Sequence, residues 1–104
     1  MMEGRPYKFR ILEILSDNGP MWNSEIVKML QTEYKMPSNY YRDCLNFDLI
    51  EVSASGMIVE EEASLDEEGV FRKDSLLIKY HISPIGTDLL AELKTKVRHR
   101  KGDD

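Results

Sequence analysis

The strongest constraint on the fold is the run LLIKYHI, residues 76–82, in the last third of the chain. Its side chains alternate with the two-residue period of a β-strand, and a strand must pair with another to satisfy its backbone hydrogen bonds. The other run of strand type is LIEV, residues 49–52, which is apolar and β-branched. We therefore predict that these two runs pair as an antiparallel hairpin.

Two helices are predicted in the first third of the chain. In the first, which follows Pro6, the apolar residues of YKFRILEILSDNG lie along one face, and a Gly-Pro pair ends the helix. In the second, Asn23 is the predicted N-cap, and apolar side chains up to Tyr34 repeat with helical spacing.

A third, short helix is predicted between the second helix and the hairpin. Pro37 disfavours helical geometry at the residue before it, and Ser38 is a suitable N-cap for NYYRDCLNFD. This helix would end near Asp48, where LIEV begins. After the hairpin, Ser83 and Pro84 start a fourth helix. Its predicted apolar stripe is Ile85, Leu89, Leu93 and Val97.

Length and composition indicate one globular domain. The chain has 104 residues, of which 41% are hydrophobic and 32% charged, and we expect a core at about residues 7–97 with a flexible tail at 98–104. No apolar run is long enough for a bilayer span or a signal peptide, so we expect a cytoplasmic protein. Cys44 is the single cysteine, which excludes an intrachain disulfide, and we expect it to be a small buried side chain.

No catalytic pattern is present in the sequence. His81 falls on a predicted strand and His99 in the tail, without nucleophile–His–carboxylate spacing, a Gly-rich phosphate loop or a cluster of metal-ligand type. We therefore expect no enzymatic activity, cofactor or bound metal.

Two local sequence motifs accompany this order of predicted elements. The third helix leads directly into DLIEV, and the second strand leads into YHISPIGTDLL. In these features, over about residues 7–97, the chain resembles the winged helix-turn-helix regulators of bacteria and archaea, and MarR-like and PadR-like proteins are nearest in style. The resemblance implies an α+β fold: a winged helix-turn-helix with a three-helix core, a long β-hairpin wing and a C-terminal helix. Asp48 departs from the glycine usual before the Leu-Ile pair.

The resemblance also implies a sequence-specific transcriptional regulator that binds double-stranded DNA with its third helix in the major groove. Asn39, Arg42 and Asn46 are predicted on the exposed face, where asparagine suits an adenine edge and arginine a guanine edge. Tyr40 could rest on the surface or bind a phosphate. The opposite face, docked on the domain, would carry Tyr41, Cys44, Leu45 and Asp48. The complete set of predicted DNA-binding residues is Ser38, Asn39, Tyr40, Arg42, Asn46, Arg72 and Lys73.

Further basic residues could supply phosphate contacts, although each is also an ordinary solubilising charge. They comprise an N-terminal arm and helical positions: Arg5, Lys8, Arg10, Lys28 and Lys35. Whole-chain charge argues in the opposite direction, because nucleic-acid binding is driven by neutralising phosphates and the formal net charge is −5. Without the six carboxylates between Glu60 and Gly69 it would be +1, so the rest of the chain is almost neutral.

The acidic segment lies in the predicted wing. A register that pairs Val52 with Tyr80 places Glu60 opposite Arg72 and the turn near Asp66. The carboxylates left unpaired at the tip, where they would repel phosphate, are Glu62, Asp66, Glu67 and Glu68. We predict that the tip stays off the DNA backbone or contacts a basic protein partner.

Two alternatives stay open at this point. Leu90, Leu93 and Val97 could form a homodimer contact through the C-terminal helix, or could pack within one chain. The chain could also be a winged-helix protein–protein interaction module with an acidic wing, in place of a DNA-binding regulator.

Overall fold

The computed structural model describes the backbone of residues 7–102 and the side chains of residues 7–95. It contains four helices and a three-stranded antiparallel sheet in the described residues. The elements in chain order are α1 (Tyr7–Asn18), β1 (Met21–Trp22), α2 (Asn23–Tyr34), α3 (Asn39–Ala54), β2 (Ile58–Leu65), β3 (Leu76–Ile82) and α4 (Pro84–Gly102). The strand order in the sheet is β1-β3-β2, so β3 is central.

Helix α1 lies where its apolar spacing predicted it, but α2 begins differently from the prediction. Trp22 occupies the N-cap position, and its backbone N–H donates to Glu25 Oε1 at 3.0 Å. Asn23, the predicted N-cap, is instead the first helical residue and is almost fully buried. The helix ends at Lys35, which has a left-handed backbone conformation with φ 56°.

Helix α3 is longer than predicted and includes the LIEV run. The prediction of a strand at residues 49–52 is therefore wrong, as is the predicted helix end near Asp48. Leu45, Leu49 and Val52 are buried at spacings of four and three residues, which is the period of a helix face. The run LIEV, in which three of the four residues are apolar, fits both structures locally, and burial of this face decides for the helix.

The acidic segment itself forms β2, the partner of β3 in the hairpin. Glu60 lies opposite Tyr80, so the predicted pairing of Glu60 with Arg72 is wrong, and the register shifts at a bulge between Glu60 and Glu62. Beyond the bulge Glu62 lies opposite Lys79, with 3.8 Å between Oε1 and Nζ. The connecting segment is the loop of residues 66–75 rather than a tight turn at Asp66.

The core lies between the helices and one face of the sheet. Its buried side chains come from α1, α2, α3, β2, β3 and α4, and the largest are Tyr80, Ile11, Leu12, Ile14, Leu15, Ile26, Leu30, Leu45, Leu49 and Ile58. Burial of each aliphatic side chain contributes about 1.5–3 kcal/mol relative to exposure. None of the helices within the described residues is long and apolar enough to cross a membrane.

Helix α4 is fixed to the α3–β2 connection at its first turn. Ser83 is the predicted cap: its Oγ accepts from the backbone N–H of Gly86 at 3.0 Å and donates to Gly56 O at 2.6 Å. A side chain at Gly86 would collide with the backbone carbonyl of Met57, so glycine is required by close approach at this position. The helix continues to Gly102, and flexibility of residues 98–104 stays a prediction.

Candidate nucleic-acid interface

The N-terminal half of α3 projects into solvent from a well-defined turn. Ser38 Oγ accepts from the backbone N–H of Tyr41 at 3.3 Å, which is the capping contact expected from the sequence. Gln31 Nε2 holds the preceding turn by donating to Met36 O at 2.9 Å and Ser38 O at 3.1 Å. Ser38, Asn39 and Tyr40 are all exposed, in agreement with their predicted surface positions.

The face of α3 predicted to dock on the domain is only partly correct. Leu45 is buried, but Cys44 is exposed, and so is Tyr41, at 41% of its surface. Each helical residue rotates the side-chain direction by about 100°, and the buried stripe through Leu45 and Leu49 therefore turns Cys44 outward. A hydrogen bond with the Cys44 thiol raises the pKa of Tyr40.

Arg42 is engaged by the protein itself and does not point freely into solvent. Its Nε donates to Asp43 Oδ1 at 3.0 Å, and its Nη1 donates to the backbone carbonyl of Phe71 at 3.2 Å. The guanidinium carbon also lies 5.6 Å from the centre of the Phe71 ring, within the range of a cation–π contact. The prediction of a fully exposed Arg42 is thus corrected: the side chain joins α3 to the loop of residues 66–75.

Asn46 is also held in place, by Asn23 at the start of α2. The Asn23 Nδ2 donates to Asn46 Oδ1 at 3.1 Å and to Leu76 O at 3.3 Å. The Asn23 Oδ1 accepts from the backbone N–H groups of Ser24 at 2.9 Å and Ile78 at 3.1 Å. Asn23 therefore links α2, α3 and β3, and Asn46 is half-buried rather than free on the exposed face.

The loop of residues 66–75 is organised by Asp66. The prediction of an unpaired Asp66 carboxylate at an exposed tip is wrong, because this side chain is buried. Its oxygens accept hydrogen bonds from the backbone N–H groups of Val70 at 2.9 Å, Phe71 at 2.9 Å and Arg72 at 2.7 Å. Burial alone raises the pKa of Asp66, but these donors and Gly69 outweigh it and hold the pKa below its ordinary value. The backbone N–H of Asp66 also donates to Ser75 O at 2.8 Å, which closes the loop.

The ordered loop lies against the N-terminal half of α3. Arg72 Nη1 is 3.9 Å from Asp43 Oδ1, on the side of α3 that carries Arg42. The fold therefore brings Arg72 close to the part of α3 that carries Arg42, and Lys73 is exposed in the same loop. The sequence signal for this loop was the aspartate at position 66 followed by Gly69, which adopts φ 77°.

The remaining basic residues differ in their availability. Lys8 Nζ lies 3.4 Å from Glu51 Oε1, and Arg10 Nε lies 2.8 Å from Glu33 Oε1. The hydrogen bond to Glu33 raises the pKa of Arg10, and the two side chains form a structural ion pair. By contrast, Lys28 and Lys35 border an open depression at the turn before α3, whose other lining residues are Gln31, Thr32 and Pro37. Arg5 lies outside the described residues.

Helix α4 exposes fewer of the predicted dimer-contact residues than the sequence suggested. Leu90 is buried in the core of its own chain, and the prediction of Leu90 as an intersubunit contact is therefore wrong. Leu93 is partly buried against the same core, and the side chain of Val97 lies outside the described residues. In the described part of the chain, no three His, Cys, Asp or Glu side chains are grouped so that they could hold a metal ion.

Comparisons with known proteins support the fold. No family model matches the chain, and no curated protein matches it. A crystal structure from Thermoplasma acidophilum, described as a "putative transcriptional regulator", is similar with a TM-score of 0.63 and 20% sequence identity. The similarity covers 92% of this chain and 84% of that chain. At this identity the similarity establishes a common fold.

Proposed function

We propose that this protein is a winged-helix transcriptional regulator that binds double-stranded DNA in a sequence-specific manner. In this proposal α2 and α3 form the helix-turn-helix, and β2, β3 and their loop form the wing. The observation that supports the proposal is the contact of residues 66–75 with α3: Arg72 Nη1 lies 3.9 Å from Asp43 Oδ1, and Arg42 Nη1 donates to Phe71 O. In helix-turn-helix proteins the second helix of the motif lies in the major groove and its N-terminal residues contact base edges.

The contacts within the protein suggest different roles for the predicted DNA-binding residues. Asn39 is the exposed residue suited to bidentate pairing with adenine. The Tyr40 hydroxyl can donate a hydrogen bond to a phosphate oxygen. Arg42 and Asn46 act chiefly as positioning residues, because Arg42 fixes the wing loop and Asn46 is fixed by Asn23.

Phosphate contacts come from two ends of this surface. Arg72 and Lys73 approach one strand from the wing loop, and Lys28 and Lys35 lie beside the turn that begins α3. The carboxylates of β2 are partly balanced within the hairpin, since Glu62 Oε1 lies 3.8 Å from Lys79 Nζ. Because the remaining exposed carboxylates would repel phosphate, the acidic strand is proposed to face away from the duplex.

A second candidate is a winged-helix module for a basic protein partner. It is favoured by the exposed carboxylates along β2 and by the apolar side chains exposed beyond them, Leu65 at 51% and Val70 at 76%. Such a module would bind its partner without affinity for duplex DNA.

The two candidates are separated by fluorescence anisotropy with labelled duplex DNA at several salt concentrations. The chain is tested against the DNA upstream of its own gene and against duplexes selected by the protein from a randomised pool. For a DNA-binding regulator log K falls with log salt with a slope of about −0.9 per phosphate contacted, and Lys73→Ala reduces that slope by about one contact. Thr95→Ala, on α4, is the matched control. Failure to bind any duplex at low salt would refute the proposal.

A further inference from the structure

The solvent-facing side of α3 is unusually apolar. Tyr40 is 70% exposed, Phe47 58% and Ile50 47%, and all three lie on the side opposite the buried stripe that contains Leu45 and Leu49. Exposed apolar groups that cluster on one face of an element mark binding surfaces more often than isolated ones do. This face is therefore suited to an occupant with an apolar component.

Three exposed lysine side chains are available to an anionic occupant of this face. The carboxylates of the face itself are balanced inside the chain, Asp43 by Arg42 and Arg72 and Glu51 by Lys8. Lys28 and Lys35 are exposed beside the turn that precedes α3, and Lys73 is exposed in the loop of residues 66–75. Among the described residues none of the three forms a salt bridge. An apolar centre with unpaired cations at its edges is complementary to a DNA major groove, in which the C5-methyl group of thymine is the apolar feature between phosphates.

We infer that Phe47 is a specificity-determining residue that contacts a thymine methyl group in the major groove. The inference rests on the proposed function and adds to it the chemistry of one base pair in the target. Phe47 follows Asn39 by eight positions, which is about 12 Å along a helix. At about 3.4 Å per base pair this distance corresponds to three or four base pairs. The target DNA thus carries a thymine three or four base pairs from the adenine that Asn39 reads.

The test removes the methyl group without altering base pairing. Duplexes selected by the protein from a randomised pool are resynthesised with each thymine replaced in turn by uracil, and dissociation constants are measured by fluorescence anisotropy. We expect one replacement to weaken binding about fourfold, as for loss of a single buried methyl group. In Phe47→Ala, binding should be weaker by about tenfold or more, and the same thymine and uracil duplexes should bind equally.

Two further variants control this comparison. Ile85→Ala removes a side chain that is 63% exposed on α4, and its affinity and thymine–uracil difference should match those of the unmodified protein. Phe47→Gln, which keeps more volume than alanine, should also abolish the difference and provides the test if Phe47→Ala fails to fold.

Each outcome decides between the inference and the function on which it rests. Specific DNA binding with every uracil duplex within twofold of its thymine parent would overturn the methyl contact and leave the regulator function standing. The same holds if the difference persists undiminished in both Phe47 variants. Absence of binding to any duplex removes the proposed function and the inference together.

Discussion

Replacing Asn23 with alanine should destabilise the protein more than the loss of one polar side chain ordinarily does. Asn23 is 1% exposed and forms four hydrogen bonds, with distances from 2.9 to 3.3 Å, to its neighbour Ser24, to Asn46 of α3 and to Leu76 and Ile78 of β3. A hydrogen bond contributes about 0.5–1.5 kcal/mol net, and an unpaired buried group costs about 1–3 kcal/mol. Because some of the freed groups regain water, we expect a loss of about 2–4 kcal/mol.

A loss of this size is measurable by urea denaturation followed by far-ultraviolet circular dichroism. In a domain of about 100 residues each kcal/mol shifts the melting temperature by about 4–8 °C, so Asn23→Ala should melt at least about 10 °C lower than the unmodified protein. Asn39→Ala, at an exposed position on α3, is the matched control and should change the free energy of unfolding by less than about 0.5 kcal/mol.

A double-mutant cycle tests the linkage between helices directly. Combining Asn23→Ala with Asn46→Ala should cost less than the sum of the single changes, by about 0.5–1.5 kcal/mol, because both variants remove the same hydrogen bond. If Asn23→Ala retains stability within about 0.5 kcal/mol of the unmodified protein, the reasoning that this amide joins α2, α3 and the sheet is wrong.

Three other predictions follow from individual side chains. The folded pKa of Asp66 lies below its unfolded value of about 3.8, so the stability advantage over Asp66→Asn should be complete above that pH and disappear as the pH falls through the folded pKa, in urea titrations at several pH values. Burial, and to a smaller extent the charge of Glu51, raises the pKa of Asp48. Asp48→Asn should therefore increase the free energy of unfolding at pH 7 and lose this benefit below about pH 3.8. A variant less stable than the unmodified protein at pH 7 would contradict this prediction. Cys44 is exposed on α3, so bound target DNA should slow its alkylation by N-ethylmaleimide at least about tenfold if α3 enters the groove, and an unchanged rate would place the DNA elsewhere.

Elements with a single locally consistent signal were predictable from the sequence. Helix α1, the Ser38 and Ser83 caps and strand β3 each combine side-chain periodicity with a capping or turn residue, and the structure agrees with each. The LIEV run failed because its local preference for a strand conflicts with the helical spacing of Leu45 and Leu49, and burial in the core overrides weak propensity.

The site was less predictable because its contacts join segments that are distant in sequence. Asn23 looked like a cap, and only the packing of β3 against α2 makes it a buried hydrogen-bonding centre. Asp66 looked like one more exposed acid, whereas its role depends on backbone N–H groups four to six residues later. Phe47 was overlooked because its apolar character suggests burial, and its exposure depends on how α3 rotates against the core.

Strand β2 is an edge strand of the sheet. Within the described residues, one side of its backbone forms no hydrogen bonds with another strand. Such an edge is a template on which a second chain can add a strand, and growth of this kind leads to aggregates. Here the strand carries consecutive glutamates at 60–62 and a bulge that disturbs its regular hydrogen-bonding repeat. Charge repulsion and irregular geometry both oppose stacking of one molecule on the next. The acidic run thereby keeps an eight-residue strand from recruiting copies of itself.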